Sequence, residues 1–256
     1  MPRSDAPSST AVSARWAQPA DGPEIYLAAP TDQPPAATVV VGMELFGVTA
    51  WVRGICHRLA AAGFAAAAPD FFGRVRPRAE LGYHDRGREE GFHLLGSLTP
   101  EQVAADTANA LTLGTGLGAG PGRGFAGFSL GGHLALLAGT LLPLDVITAC
   151  YPGWAIDGGI ALADPEPPLS PAGAAALASH GTTVLGLVGE QDHVVPPEQW
   201  ERIGRRLTTA GVRHELVSYP DTPHGFLCED RPATYRPHAA DDAWSRILKA
   251  LEPLRP

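Results

Sequence analysis

Gly127-Phe128-Ser129-Leu130-Gly131-Gly132 is the stretch whose reading decides the fold. The apolar run Gly124-Phe125-Ala126 precedes it, and the helix-like segment His133 to Ala138 follows. Strand, sharp turn and helix in that order are the context of a G-x-S-x-G nucleophile elbow. The turn drives the serine into a strained backbone conformation, and the flanking glycines remove side chains that would collide there. The hydroxyl then stands at the carboxyl end of a strand, close to the positive end of the next helix. With 30 glycines in the chain, such a match arises easily by chance. It carries weight only if partners follow.

Outward from the elbow, apolar strand-like runs alternate with helical ones. On the amino-terminal side, Glu24 to Ala28 reads as a short edge strand and Ala37 to Gly42 as a β-branched strand buried on both faces. Trp51 to Ala62 has helical spacing and stops at Gly63, and Phe64 to Ala68 is the next strand. Gly73 to Thr99 carries no firm periodicity and reads as an irregular excursion with a short helix. Thr99-Pro100-Glu101-Gln102 opens a helix through a capping box and a first-turn proline, running to about Leu113. The glycine series Gly116-x-Gly118-x-Gly120 follows a helix rather than a strand, so no dinucleotide site is expected there.

Beyond the elbow, Leu144 to Tyr151, Thr182 to Val188 and His214 to Tyr219 read as strands. Pro197 to Ala210 and Pro237 to Leu251 read as helices, and Asp157 to Gly173 as a proline-rich loop. The alternation predicts an α/β domain with a mostly parallel sheet and helices on both faces. Residues 1–22, rich in Ser, Ala and Pro, are expected to form a flexible tail, and 23–256 one domain.

Composition narrows the function classes. At 45% apolar and 18% charged, the chain has ample material for a core. A formal charge of -8 argues against a nucleic-acid surface. Neither a signal-peptide core nor a run near membrane-span length is visible, and a cytoplasmic protein, monomeric or homodimeric, is expected. Cys56, Cys150 and Cys228 form no C-x-x-C pair, so neither a disulfide framework nor a zinc site is suggested. With no H-x-H or H-x-x-x-H pattern and no carboxylate cluster, no metal and no cofactor are expected.

Partners for Ser129 do follow. Asp192 lies just past a strand end, and His224 lies in the loop Tyr219 to Phe226 after the next strand. A serine hydroxyl is a poor nucleophile at neutral pH and needs a base within hydrogen-bond reach. His224 would take its proton and return it to the leaving group, while Asp192 orients the imidazole. The amide of Leu130, just after the serine, is one candidate oxyanion donor. The plain alternatives are a turn serine at 129, a helix-capping role for Asp192 with Glu190 as the competing acid, and a turn acid at Glu44. His193 is expected to be solvated, and His84, His93 and His133 either to line a pocket or to face solvent.

The chain resembles the dienelactone hydrolase family. The resemblance rests on Val39 to Gly47, Ala68 to Arg74, the elbow, Gly189-Glu190-x-Asp192, His224-Gly225-Phe226 and the stretch from Arg231-Pro232 to Trp244. It implies an α/β-hydrolase fold with about eight strands and no large cap. It also implies that the nucleophile position, usually cysteine, is serine here. The glutamate of the E-x-F-G motif is Glu44, and the amide of Leu45 becomes the second oxyanion donor. Glu44 is expected to accept the resting hydroxyl hydrogen bond or to orient the deacylating water. Pocket candidates are Phe46, Phe128, Tyr151 and Phe226, with Arg86 and Arg88 as carboxylate anchors. Cys228 stands where the resemblance calls for an arginine after the histidine, which points to a small ester or lactone other than dienelactone. An acyltransferase or cyclase with the same triad, or a binding protein on a hydrolase scaffold, are the other readings.

Overall fold

The computed structural model describes residues 10–256, and eight strands form one sheet in the order β1-β2-β4-β3-β5-β6-β7-β8. The strands are β1 (Val12–Ala17), β2 (Ile25–Pro30), β3 (Thr38–Gly42), β4 (Ala65–Pro69), β5 (Arg123–Phe128), β6 (Val146–Cys150), β7 (Thr183–Gln191) and β8 (Arg213–Pro223). β2 runs antiparallel to both β1 and β4, and every other pairing is parallel. The helices are α1 (Ala50–Ala61), α2 (Asp85–Leu95), α3 (Pro100–Gly116), α4 (Leu130–Leu141), α5 (Pro171–Ser179), α6 (Pro197–Ala210) and α7 (Pro237–Leu251). Helices α3 to α6 pack in a row on one face, while α1 and α7 contact the strands from the other. This is the expected α/β-hydrolase architecture, with the apolar run of β3 wholly buried between its helices.

Chain order around β3 creates the crevice that a site needs. β4, which follows β3 through α1, lies on one side of it, and β5, which follows through α3, lies on the other. Connections leaving β3 and β5 therefore diverge, opening a gap at their carboxyl ends. β4 is built of Ala65-Ala66-Ala67-Ala68-Pro69, all buried, and both α1 and α3 pack against it. Small side chains on this strand let both helices come close.

Several boundaries differ from the sequence reading. Val12–Ala17, expected within the tail, is a strand paired with β2 from Val12↔Pro30 to Ala17↔Ile25. The first nine residues of that expected tail lie outside the described residues. β2 is consequently not an edge strand, because β1 covers it. β1 escapes notice because it is mostly exposed and shows no apolar run. Pro171–Ser179, which begins inside the expected loop, is a helix capped by Ser170, whose hydroxyl accepts from the Gly173 amide at 3.1 Å. Helix α3 continues past Leu113 to Gly116, and β8 continues past Tyr219 to Pro223. The capping box forms as expected: the Gln102 amide donates to Thr99 Oγ1 at 3.3 Å, and the Thr99 amide donates to Gln102 Oε1 at 3.1 Å.

Helix α4 meets β3 backbone to backbone. A Cβ on Gly131 would overlap the Gly42 carbonyl, and one on Gly42 would lie 2.8 Å from Gly131 Cα. Neither neighbour is the mobile end of a side chain. Gly131→Ala is therefore expected to lower stability by about 1–3 kcal/mol, and urea titration followed by circular dichroism checks it. A variant as stable as the parent would mean that α4 can move off β3 at little cost.

Candidate active site

Ser129 occupies φ 56 and ψ -114, a conformation that L residues rarely adopt. Register and sterics hold it there. The Ser129 amide donates to the Cys150 carbonyl at 2.9 Å, and a Cβ on Gly127 would overlap the Gly131 carbonyl. Serine at a helix N-cap ordinarily turns its hydroxyl back onto the helix amides. Ser129 makes no such capping bond. Its Oγ lies 2.8 Å from His224 Nε2 instead.

Strand register brings the other two groups together. β7 and β8 pair in parallel from Thr183↔Arg213, pass an irregularity between Gly189 and Gln191, and resume at Gln191↔Pro223. The next residues on the two strands are Asp192 and His224. His224 Nδ1 lies 2.8 Å from Asp192 Oδ2 and 3.0 Å from Oδ1. Asp192 Oδ1 also accepts from the amides of Val194 and Val195 at 2.8 and 3.0 Å. An ionised carboxylate only accepts, so Nδ1–H donates to Asp192 and Nε2 accepts from the Ser129 hydroxyl. Both residues are buried, and the imidazole sits between the rings of Tyr151 at 5.0 Å and His193 at 5.9 Å.

Register also explains Glu44. Gly42 pairs with Gly127, so Glu44 and Ser129 each lie two residues beyond a paired position at adjacent strand ends. The Glu44 carboxylate is buried, with neither oxygen hydrogen-bonded among the described residues. Arg231 Nη1 stands 3.5 Å from its Oε1, an ion pair rather than a hydrogen bond. Burial raises its pKa, opposed chiefly by the charge of Arg231. Ser129 Oγ bonds to His224 and not to Glu44, so the expected resting bond from serine to this glutamate is not present. Among the described residues, the amides of Leu45 and Leu130 have no protein acceptor.

A pocket of about 140 Å³ opens on Ser129 and His224. Phe46 and Arg88 line it as expected, and Leu45 forms part of its floor. Tyr151, Phe128 and Phe226 do not line it. All three are fully buried, with Tyr151 backing His224 and Phe226, and Phe128 packed on Trp51. Arg86 is exposed and outside the pocket. Sequence reasoning missed Phe92, Trp154 and Val194 and gave Arg231 no place in the wall, while His193 is exposed as expected and also lines the pocket. His193 was legible as the neighbour of Asp192, and Trp154 as a large aromatic just beyond a strand's carboxyl end. Two larger grooves, of about 510 and 560 Å³, lie near Thr183 and Arg213 and hold none of these groups.

His133 neither lines the pocket nor faces solvent. It is fully buried on α4, with Nδ1 3.2 Å from the Gly153 carbonyl and Nε2 without a partner among the described residues. Burial lowers its pKa to about 4, with the carbonyls of Gly153 and Trp154 opposing the shift. No helix is long and apolar enough to cross a membrane, and no metal-binding group of His, Cys, Asp and Glu occurs, among the described residues.

Comparison with known proteins follows the same lines. The model of the dienelactone hydrolase family matches residues 24–254. A Synechocystis protein named as a candidate carboxymethylenebutenolidase is 31% identical over 229 residues, covering 89% of this chain and 90% of that one. The carboxymethylenebutenolidase of Rhodococcus opacus is 29% identical over 238 residues, covering 91% and 88% of the two chains. The crystal structure of a candidate dienelactone hydrolase from Klebsiella pneumoniae superposes with a TM-score of 0.82 at 28% identity, covering 94% of this chain and 98% of that one.

His133 makes stability depend on pH with a definite sign. Its folded pKa of about 4 lies below the ordinary 6.5, so between these values the unfolded chain binds the extra proton. The contribution is complete above about pH 6.5 and is lost as pH falls toward 4, amounting to about 3 kcal/mol. Replacing the ring removes this slope. Urea midpoints between pH 7 and 4 are expected to converge for the parent and His133→Leu as pH falls, and parallel curves would refute the assignment.

Proposed function

We propose that this chain, which belongs to the dienelactone hydrolase family, hydrolyses a small carboxylic ester or lactone through a covalent acyl-serine. Family membership makes it a hydrolase of the ester and lactone type. The finer reading, with serine as nucleophile, rests on one observation above the others. A serine held at positive φ leaves its helix uncapped and directs its hydroxyl 2.8 Å from an imidazole whose far nitrogen is 2.8 Å from a buried carboxylate.

The proposed steps follow from the protonation states. As Ser129 Oγ attacks the carbonyl carbon, its proton passes to His224 Nε2, and the Oγ–C bond forms while the carbonyl π pair moves to oxygen. Asp192 stabilises the imidazolium that results. Its two additional amide donors hold it in place. The amides of Leu45 and Leu130 hold the oxyanion, and such donors typically supply about 3–4 kcal/mol each. Collapse breaks the bond to the leaving oxygen, which takes the proton from His224. Water then repeats the sequence on the acyl-enzyme, with His224 again as base, and releases the carboxylic acid. The unpartnered oxygens of Glu44 support a part in orienting that water.

Ser129→Ala is expected to reduce kcat/KM on an activated short-chain ester by at least roughly a thousandfold, with an unchanged circular dichroism spectrum. Turnover that survives this substitution rules out the serine mechanism. Asp192→Asn tests the tautomer separately. An amide NH₂ facing Nδ1 favours the wrong imidazole form, so kcat is expected to fall roughly a thousand- to ten-thousandfold while labelling of Ser129 by a fluorophosphonate slows in parallel. Labelling at the parental rate would remove Asp192 from the relay.

A further inference from the structure

We infer that Phe92 and Trp154 form an aromatic gate that limits the size of the acyl group reaching Ser129, so that the enzyme acts on short, compact acyl groups. The inference deepens the hydrolase reading and rests on it. Phe92, on α2, is 38% exposed, and Trp154 is half-buried in the loop after β6. Their rings meet edge to face, with centroids 5.9 Å apart and planes at 80°, and both line the pocket that holds Ser129. Two elements far apart in the chain thus touch across the approach to the nucleophile. An isolated exposed phenylalanine needs no explanation, but one docked on a tryptophan above a reactive hydroxyl closes space.

Both jaws are anchored. A Cβ on Gly91 would lie 2.5 Å from the Leu45 carbonyl, so α2 is seated directly on the loop that carries the proposed oxyanion amide. The guanidinium of Arg88, one helical turn before Phe92, lies 5.8 Å from its ring centre. On the other side, Trp154 sits at φ 57, and the Gly153 carbonyl accepts from buried His133 Nδ1–H at 3.2 Å. A Cβ on Gly153 would be 2.9 Å from Val194 Cγ1, which fixes this loop against the segment after Asp192. The backbone that carries each ring is therefore held in place on both sides of the pocket.

Volume gives the consequence. The pocket encloses about 140 Å³, below the roughly 300–1,000 Å³ of ordinary ligand sites. Its walls at Phe46, Phe92, Trp154 and Val194 are apolar. An open apolar channel would favour longer chains by about fourfold per methylene. A closed gate reverses that trend.

The test is a series of methyl esters, acetate, butanoate, hexanoate and octanoate, followed by proton release. The readout is the ratio of kcat/KM for octanoate to that for butanoate within each protein, which cancels general changes in activity. A ratio below 0.1 is expected for the parent, rising at least tenfold in Phe92→Ala and in Trp154→Ala. A parental ratio that climbs with chain length, or a ratio unmoved in both folded variants, overturns the gate. Calorimetric binding of the matching alkanoic acids to Ser129→Ala, with and without Phe92→Ala, reads the same size limit without chemistry. If the parent cleaves none of the esters yet the acids keep the size ranking and Phe92→Ala relieves it, acyl-serine chemistry on alkyl esters fails and the gate stands. A ranking indifferent to Phe92 overturns the gate whatever the turnover.

Discussion

The structure depends on a close approach of three stretches of backbone, at Gly42, Gly127 and Gly131. The Gly42 and Gly131 backbones approach closely enough that neither residue has room for a Cβ, and Gly127 has none because the Gly131 carbonyl fills that space. Because β3, β5 and the first turn of α4 are locked this tightly, the residue between β5 and α4 has no freedom to relax. Ser129 consequently stays at φ 56, where an isolated serine would not remain. The strain is local, and the surrounding sheet imposes it. The same register that pairs Gly42 with Gly127 puts Glu44 and Leu45 beside the serine, so one packing constraint positions the proposed nucleophile, the buried acid and the proposed oxyanion amide.

Burial sets the electrical character of this end of the sheet. Asp192 is taken out of water but accepts from two amides and an imidazole, so its charge is compensated. Glu44 is buried with only a 3.5 Å ion pair for compensation, and its pKa moves upward. His133 is buried with one nitrogen satisfied and one not, and it stays neutral. Three ionisable groups within a few residues of the same crevice thus receive different treatment from the same low-dielectric surroundings. Burial is the leading cause of the shifts of Glu44 and His133, upward for the acid and downward for the base.

Most of the fold was legible because it is carried by local signals. Continuous apolar runs marked β3, β6 and β7, and the capping box marked the start of α3. β1 was hidden because its partnership with β2 is not written in its own residues. The triad was legible because each member follows a strand, and parallel register carries strand ends to one edge. The pocket wall was less so, and the errors have geometric causes. Phe128 immediately precedes Ser129, and side chains alternate across a strand, so it faces away from the serine and packs on Trp51. Arg86 and Arg88 are two positions apart on α2, and such residues do not share a helix face, whereas Arg88 and Phe92 at i and i+4 do. Phe92 and Trp154 meet only through tertiary packing, which no spacing within either segment encodes.

Serine at position 129 changes what the surroundings must supply. The resemblance implies cysteine as the usual nucleophile, and a thiolate reacts without a strong base at its side. An alkoxide at neutral pH is far less accessible, so a serine enzyme depends on an imidazole of fixed tautomer already within hydrogen-bond reach. The observed chain from Ser129 through His224 to Asp192 meets that demand in the resting state, with no rotation of the nucleophile and no approach of Glu44. Under the proposed mechanism, Glu44 takes no part in the first proton transfer. Among the described residues, this buried acid beside Ser129 has Arg231 as its ion-pair partner and no hydrogen bond to either oxygen. In that mechanism, the two oxygens become relevant once the acyl group is on Ser129 and water must be held for the second step.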